Sequence, residues 1–119
     1  MKRVLLVDDA LFIRGNLKLI LEKNGYEIVG QADDGIQAVN LYKALRPDLV
    51  TMDVTMPNMD GLQALTEIRK FDPAAKVVMI TAMGKEDIVR QAIVSGATNF
   101  IVKPFNEEKV IAVMGKIKW

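Results

Sequence analysis

Charged and polar side chains stand at the ends of several apolar runs in this sequence. Asp8 and Asp9 follow one such run, Asp53 ends another, and Thr81 and Lys103 end two more. Three carboxylates gathered in one crevice would repel by about 4 kcal/mol for each close pair, at about 4 Å and an effective dielectric constant of about 20. A lysine and a divalent cation would offset that repulsion. Mg²⁺ fits best, because it takes few carboxylates, keeps several waters and shares a phosphate readily.

This set of residues suits phosphoryl transfer onto a carboxylate. Asp53 would be the nucleophile, because carboxylates form covalent acyl phosphates. Mg²⁺ would bridge the phosphoryl oxygens to Asp9 and Asp53, with the backbone carbonyl of Thr55 as a further ligand and Asp8 acting through water. The expected metal ligands are therefore Asp8, Asp9, Asp53 and the carbonyl of Thr55.

Two more side chains would bind the other phosphoryl oxygens. Lys103 would supply a point charge, and the Thr81 hydroxyl would supply a neutral donor. Ala82, which is small and follows Thr81, leaves room for the phosphoryl group. A plainer interpretation makes Asp8 and Asp9 the cap and first-turn acid of a helix, and Asp53 the first residue of a turn.

The amino-acid composition excludes several other kinds of chemistry and partner. The chain has 119 residues, of which 50% are hydrophobic and 26% are charged, which is typical of one globular domain over residues 1–119. It has no cysteine and no histidine, so thiolate chemistry and soft-metal ligands are absent. A formal net charge of +1 gives no reason to expect nucleic acid or an anionic membrane as a partner.

No targeting or membrane segment is indicated. Asp8 and Asp9 interrupt the first apolar run too early for a signal peptide, which needs about 7–15 apolar residues. No run approaches the roughly 18 apolar residues of a membrane span. We therefore expect a cytoplasmic protein whose partners are other proteins.

The strands and helices that must position these residues are predicted from the spacing of apolar residues, which alternates along the chain between that of a strand and that of a helix. Strands are predicted over 3–8, 26–32, 49–54, 76–81 and 99–102, and helices over about 10–24, 34–46, 61–72, 86–95 and 107–117. Asp33 or Asp34 caps the second helix, Asp60 the third and Asn106 the fifth. The fourth helix is predicted to bury Ile88, Val89, Ala92 and Ile93.

Five strands alternating with five helices predict an α/β fold with a doubly wound parallel sheet, covered by helices on both faces through right-handed crossovers. In such sheets a ligand binds beyond the carboxyl ends of the strands. The aspartates, Thr81 and Lys103 all fall at those ends.

The chain resembles the receiver domain of bacterial two-component response regulators. The motifs that carry the resemblance are VLLVDD at 4–9, MDVTMPNMDG at 52–61, VVMITA at 77–82 and FIVKPF at 100–105. Within that family, the stand-alone chemotaxis regulators are the most similar. The resemblance implies a flavodoxin-like sheet of order 2-1-3-4-5, Mg²⁺ dependence and phosphoryl transfer from a histidine kinase to Asp53. It also implies slow self-hydrolysis, a cis peptide between Lys103 and Pro104, and a signalling protein rather than an enzyme.

The resemblance further implies a switch in which Thr81 moves toward the phosphoryl group and Phe100 turns inward. Phe100 stands where the family often has tyrosine, so no ring hydroxyl is available and the switch must work by packing. We call the surface of the fourth helix, fifth strand and fifth helix the switch face, and expect a protein partner there. It includes Lys85, Arg90, Gln91, Ser95 and Asn99.

Two positions flank the path of water that would attack the acyl phosphate. They are Thr55, two residues after the nucleophile, and Met83, two residues after Thr81. We expect Met83, which is bulky and has no general-base function, to slow hydrolysis.

Two other functional classes would require residues that this sequence does not have. A phosphatase of the haloacid dehalogenase type would need a second acid at position 55, which is Thr55, and a cap domain. A flavodoxin-like nucleotide binder would need a phosphate-cradling loop where Asp8 and Asp9 stand. The chain could also be a receiver cut from a multidomain, transcriptional regulator; as a stand-alone regulator we expect a monomer.

Overall fold

The computed structural model describes all residues 1–119. Strands and helices alternate along the whole chain, in agreement with the two sequence periods. The elements are β1 (Arg3–Val7), α1 (Leu11–Lys23), β2 (Glu27–Ala32), α2 (Gly35–Leu45), β3 (Leu49–Asp53), α3 (Gly61–Phe71), β4 (Val77–Ala82), α4 (Glu86–Val94), β5 (Asn99–Lys103) and α5 (Glu107–Met114). None of these helices combines the length and the apolar character needed to cross a bilayer.

All five strands are parallel and lie in the order β2-β1-β3-β4-β5. This confirms the doubly wound sheet and its strand order. The chain leaves β1 for the edge strand β2 and then crosses back to β3 on the other side of β1. The direction of winding therefore reverses between β1 and β3, which is where a crevice for a ligand opens in such sheets.

Two apolar layers cover the sheet. Leu5 and Val7 of β1 pack with α2 and α3 on one face, whereas Val4 and Leu6 pack with α1 and α5 on the other. Every residue of β3 is buried. Burial on both faces explains why these strands read as continuous apolar runs rather than as alternating ones.

The fourth helix packs differently from the prediction. Of its four predicted core residues only Ala92 is buried; Ile88 and Val89 are half-buried, and Ile93 is 52% exposed. The prediction for Ile93 was wrong because periodicity shows which residues share a face but not how closely that face approaches the sheet. A cavity of about 370 Å³, lined in part by Val89 and Phe100, lies between α4 and β5.

Several element ends also differ from the prediction. The fifth helix ends at Met114, and Ile117 is buried beyond its end. The third strand ends at Asp53, the predicted strand-end residue, but Val54, which was also predicted in the strand, belongs to the following loop. The cap of α2 is Asp34, one of the two residues that the prediction left open.

Candidate functional site

The carboxyl ends of β1 and β3 bring three aspartates together. Each of Asp8, Asp9 and Asp53 offers a carboxylate oxygen, and these oxygens all lie within 4.8 Å of one another. Asp8 is fully buried and Asp53 is 7% exposed, while Asp9 faces solvent. Because β1 and β3 are neighbours in the sheet, residues 45 positions apart in sequence share one crevice.

Asp8 is not the cap of the first helix. The N-cap of α1 is Ala10, and the first turn of α1 contains no acidic residue. The Asp8 Oδ1 atom accepts a hydrogen bond from the Ala10 N–H at 2.9 Å. Its Oδ2 atom is buried and accepts no well-directed hydrogen bond, although Lys103 Nζ lies 3.2 Å away. A buried carboxylate oxygen left in this way has free capacity for a cation.

Lys103 joins the two buried aspartates. Its Nζ atom lies 3.2 Å from Asp8 Oδ2 and 3.3 Å from Asp53 Oδ1. Burial works to lower the pKa of Lys103, but the charges of Asp53 and Asp8 outweigh it and the net pKa is raised. The side chain is therefore an ammonium ion at neutral pH. The peptide bond from Lys103 to Pro104 is cis, as the resemblance implied.

Asp53 is the acid whose ionisation the fold opposes. Burial, followed by the charge of Asp8, raises its pKa to about 6, against the opposing effect of Lys103. One lysine therefore does not fully compensate for the carboxylates. The three carboxylates, together with the free buried oxygen of Asp8, fit a hard divalent cation such as Mg²⁺.

A cavity of about 250 Å³ opens beside Asp53. The residues around it come from the ends of three strands, from the loops that follow β3 and β4, and from α4. They are Asp53, Val54, Thr55, Thr81, Ala82, Lys85, Ile88 and Lys103. The register between β4 and β5 pairs Thr81 with Val102 and Ala82 with Lys103, which places the hydroxyl and the ammonium at the same edge.

Two of these lining residues were not expected beside Asp53 from the sequence. Lys85 was placed on the switch face and Ile88 in the core, yet both line the cavity beside Asp53. Lys85 lies in the loop after β4, and Ile88 lies in α4. The spacing of apolar residues does not predict where this loop and helix cross the edge of the sheet.

The switch candidates lie around the neighbouring cavity of about 370 Å³. Thr81, Met83 and Phe100 all line it, and Phe100 is half-buried. Thr81 lines both cavities, as do Ala82 and Lys85, so these residues belong to the wall that the two cavities share. Met83 is 72% exposed and lines this second cavity, not the one beside Asp53.

Part of the switch face is an open groove along α4. Arg90, Gln91 and Ser95 line it with Asp87 and Val94. Val94 is 88% exposed. The helix thus presents both charged and apolar groups to solvent on this side.

A glycine holds the loop after β3 against the strand. The Gly61 N–H donates to the Val54 carbonyl at 2.7 Å, and a Cβ at position 61 would lie 2.1 Å from the Asp53 carbonyl oxygen. Any larger residue would push the loop away from the backbone of Asp53. The requirement for glycine here is one of close approach, not of an unusual φ angle.

Comparison with known proteins gives a consistent result. The family model described as the response regulator receiver domain matches residues 4–114. The chain is 52% identical over 116 residues to the chemotaxis protein CheY of Thermotoga maritima, covering 98% of this chain and 97% of that relative. It is 56% identical over 117 residues to Protein CcdB of Bacillus subtilis, covering 98% of each.

Solved structures agree with the sequence relatives. A chain of the CheX-CheY-BeF3-Mg²⁺ complex from Borrelia burgdorferi superposes with a TM-score of 0.93 and 41% identity, covering 98% of this chain and 90% of that chain.

Proposed function

The chain belongs to the response regulator receiver domain family, and from that premise we propose that it is a phosphoacceptor of a two-component system, with Asp53 as the phosphorylated residue. The observation that carries the proposal is the setting of Asp53. It is buried at a strand end, lies within 4.8 Å of two further carboxylates, and faces a cavity shared with Thr81 and Lys103.

The donor in this proposal is a phosphohistidine of a histidine kinase. A carboxylate oxygen of Asp53 attacks the phosphorus, the N–P bond of the donor breaks, and the imidazole leaves with the bonding electrons. Lys103, whose Nζ atom already lies 3.3 Å from Asp53 Oδ1, holds a positive charge where the phosphoryl oxygens arrive. The Thr81 hydroxyl lines the same cavity and donates to another of these oxygens.

Asp8, Asp9 and Asp53, with the backbone carbonyl of Thr55, are the residues that would hold Mg²⁺. When bound, the ion supplies positive charge that offsets both the carboxylates and the developing charge on the phosphoryl oxygens. The chain itself supplies the nucleophile, the ammonium and the hydroxyl. Its role is that of a signalling protein that assists its own modification.

The switch face is the proposed output. Thr81 lines both the cavity beside Asp53 and the cavity lined by Phe100, so a shift of Thr81 toward a phosphoryl group would free space for the ring. The ring has no hydroxyl, and the change would therefore be one of packing. The relative solved in complex with CheX supports a protein partner, and the CheY relatives support a role in chemotaxis.

The test is incubation with acetyl phosphate and Mg²⁺, followed by intact-mass measurement. We expect the mass of one phosphoryl group to be gained by the wild type and not by Asp53→Asn. The matched control is Asp60→Asn, which removes a carboxylate from the same loop but alters only the cap of α3. Phosphorylation of Asp53→Asn at the wild-type level would overturn the assignment.

The dehalogenase-type phosphatase is not supported. Position 55 is a threonine on the cavity beside Asp53, so the acid such enzymes place there is missing. A nucleotide binder is disfavoured for an electrostatic reason. The buried Asp8 and its neighbour Asp9 occupy the place where that class cradles phosphate.

A further inference from the structure

The amino end of α2 is bonded to the loop that follows Asp53. Asp34 caps α2 through Oδ1, which accepts from the Gln37 N–H at 2.8 Å. Its other oxygen, Oδ2, accepts from Asn58 Nδ2, also at 2.8 Å. Each carboxylate oxygen of Asp34 thus accepts one hydrogen bond, one from its own helix and one from the loop between β3 and α3.

The loop residue on the other side of this bond has an unfavourable backbone conformation. Asn58 has a φ of 68°, and the Met59 N–H donates to the Pro57 carbonyl at 2.7 Å, so the chain turns over a single residue. A non-glycine residue in this region costs about 1–3 kcal/mol and persists only where its surroundings hold it. Asn58 is 24 residues from Asp34 in sequence, so the bond that holds it is a tertiary one.

A second contact holds the same turn. The Gly35 N–H donates to the Met59 carbonyl at 3.0 Å, and a Cβ at position 35 would lie only 2.3 Å from that oxygen. The loop therefore sits directly on the first turn of α2. Hydrogen bonds from Gln37 first, and then from Asn58, lower the pKa of Asp34, so the acceptor is ionised at neutral pH.

We propose that Asp34 is a positioning residue for the magnesium site, acting through Asn58 on the loop that carries the Thr55 carbonyl. The loop is anchored to the sheet at its start, where the Val54 N–H donates to Ile80, and at its end by Gly61. The bond between Asp34 and Asn58 anchors its middle. The inference rests on the proposed function, because it assigns Asp34 to the site that function requires.

The variant Asp34→Asn separates the two roles of this side chain. Asparagine caps a helix as well as aspartate does, so its oxygen can still accept from Gln37. Its NH₂ group would face the NH₂ group of Asn58, so the charge-assisted bond to the loop would be lost, and only a weaker bond between two neutral amides, with the Asn58 amide turned over, could replace it. We expect the dissociation constant for Mg²⁺, measured by isothermal titration calorimetry, to rise about tenfold, as for other residues that orient metal ligands.

The exchange variant Asp34→Asn/Asn58→Asp restores the bond with donor and acceptor reversed and the net charge unchanged. We expect it to recover most of the wild-type affinity. The charge control is Asp33→Asn, which removes a neighbouring exposed carboxylate that binds Gln37 and not the loop. A surface charge of that kind is screened by salt, so the affinity should change little.

The variant Asn58→Gly removes the same hydrogen bond without a risk to folding. Glycine relieves the left-handed φ but removes the group that Asp34 binds. The free energy of unfolding should stay the same or rise, while the affinity for Mg²⁺ falls. If the bond between Asp34 and Asn58 served only to stabilise the fold, the affinity would not fall in a variant that keeps its stability. Wild-type affinity in this variant, or equal losses in Asp34→Asn and Asp33→Asn, would overturn the inference. If the wild type itself bound no Mg²⁺, the proposed function would fail instead.

Discussion

Two buried side-chain oxygens make no hydrogen bond, Asp8 Oδ2 and Thr51 Oγ1. A buried polar atom without a partner costs free energy, so each needs a reason. Asp8 Oδ2 lies in the acidic cluster, where the Lys103 ammonium is 3.2 Å away and a cation would use the remaining capacity of the oxygen. Thr51 lies in β3 between Leu6 and Val78, and nothing in the proposed function uses its hydroxyl.

Replacing Thr51 with valine should therefore stabilise the protein. The substitution exchanges a hydroxyl for a methyl group of similar size in a fully buried strand, and valine favours strands. We expect the free energy of unfolding, measured by urea denaturation, to rise by about 1 kcal/mol. The matched control is Thr98→Val, which should lower it, because the Thr98 hydroxyl accepts from the Val77 N–H at 3.1 Å. A destabilised Thr51→Val protein would show that the hydroxyl has a partner.

The lifetime of the acyl phosphate is expected to depend on Met83. The structure places this exposed side chain on the cavity it shares with Thr81, next to the cavity beside Asp53. If its bulk limits the approach of water, Met83→Ala or Met83→Glu should speed dephosphorylation several-fold. The measurement is the decay of phosphorylated protein after removal of the donor. An unchanged rate in both variants would refute the role.

At the scale of elements, a polar contact joins α2 to the end of α3. The hydroxyl of Tyr42, which is buried, donates to Asp72 Oδ2 at 2.7 Å. This hydrogen bond is the main reason that the pKa of Asp72 lies below its ordinary value of 3.8. Burial raises the pKa of Tyr42, so its hydroxyl remains a donor through the acid and neutral range.

The lowered pKa of Asp72 determines how the stabilisation from this hydrogen bond changes with pH. The unfolded chain binds a proton at Asp72 more readily than the folded chain, so this contribution is complete above about pH 4 and is lost as the pH falls further. We expect Tyr42→Phe to lower the free energy of unfolding by about 1 kcal/mol at pH 7. The difference from wild type should shrink below about pH 4.

Tyr26→Phe is the control for this contact, because Tyr26 packs against the layer on the other face of the sheet. Its effect should not vary with pH over the same range. A Tyr42→Phe effect that stays constant from pH 7 to pH 3 would contradict the account, with stability measured by urea denaturation at each pH.

At the scale of the whole molecule, the acidic cluster opposes folding when no cation is bound. The raised pKa of Asp53, to about 6, shows that the fold disfavours its charge. A cation that binds only the folded chain stabilises it by mass action. Mg²⁺ binding and global stability should therefore be linked.

Addition of Mg²⁺ at about ten times its dissociation constant should stabilise the folded state by about 1.4 kcal/mol. This corresponds to a rise of roughly 5 °C in the thermal midpoint, measured by circular dichroism. Asp53→Asn should lose most of the shift and Asp33→Asn should keep it. Equal midpoints with EDTA and with Mg²⁺ in the wild type would argue against a metal site.

The site and the fold were predictable to different extents. Asp8, Asp9, Asp53, Thr81 and Lys103 were all identified in the sequence, because each ends an apolar run and parallel strands end at one edge of the sheet. The contact of Asp34 with Asn58 was not predicted. Both residues belong to ordinary cap and turn motifs, and neither motif indicates what lies across from it.

The sequence by itself determined the alternation of strands and helices, and hence a sheet with its acids at one edge, because apolar periodicity is a local property of the chain. Only the tertiary structure decided that Lys103 lies between Asp8 and Asp53, that the loop after β3 sits on α2, and that α4 leaves Ile93 exposed. These features depend on distances between elements far apart in sequence. Such distances follow from how whole elements pack, and no local pattern records them.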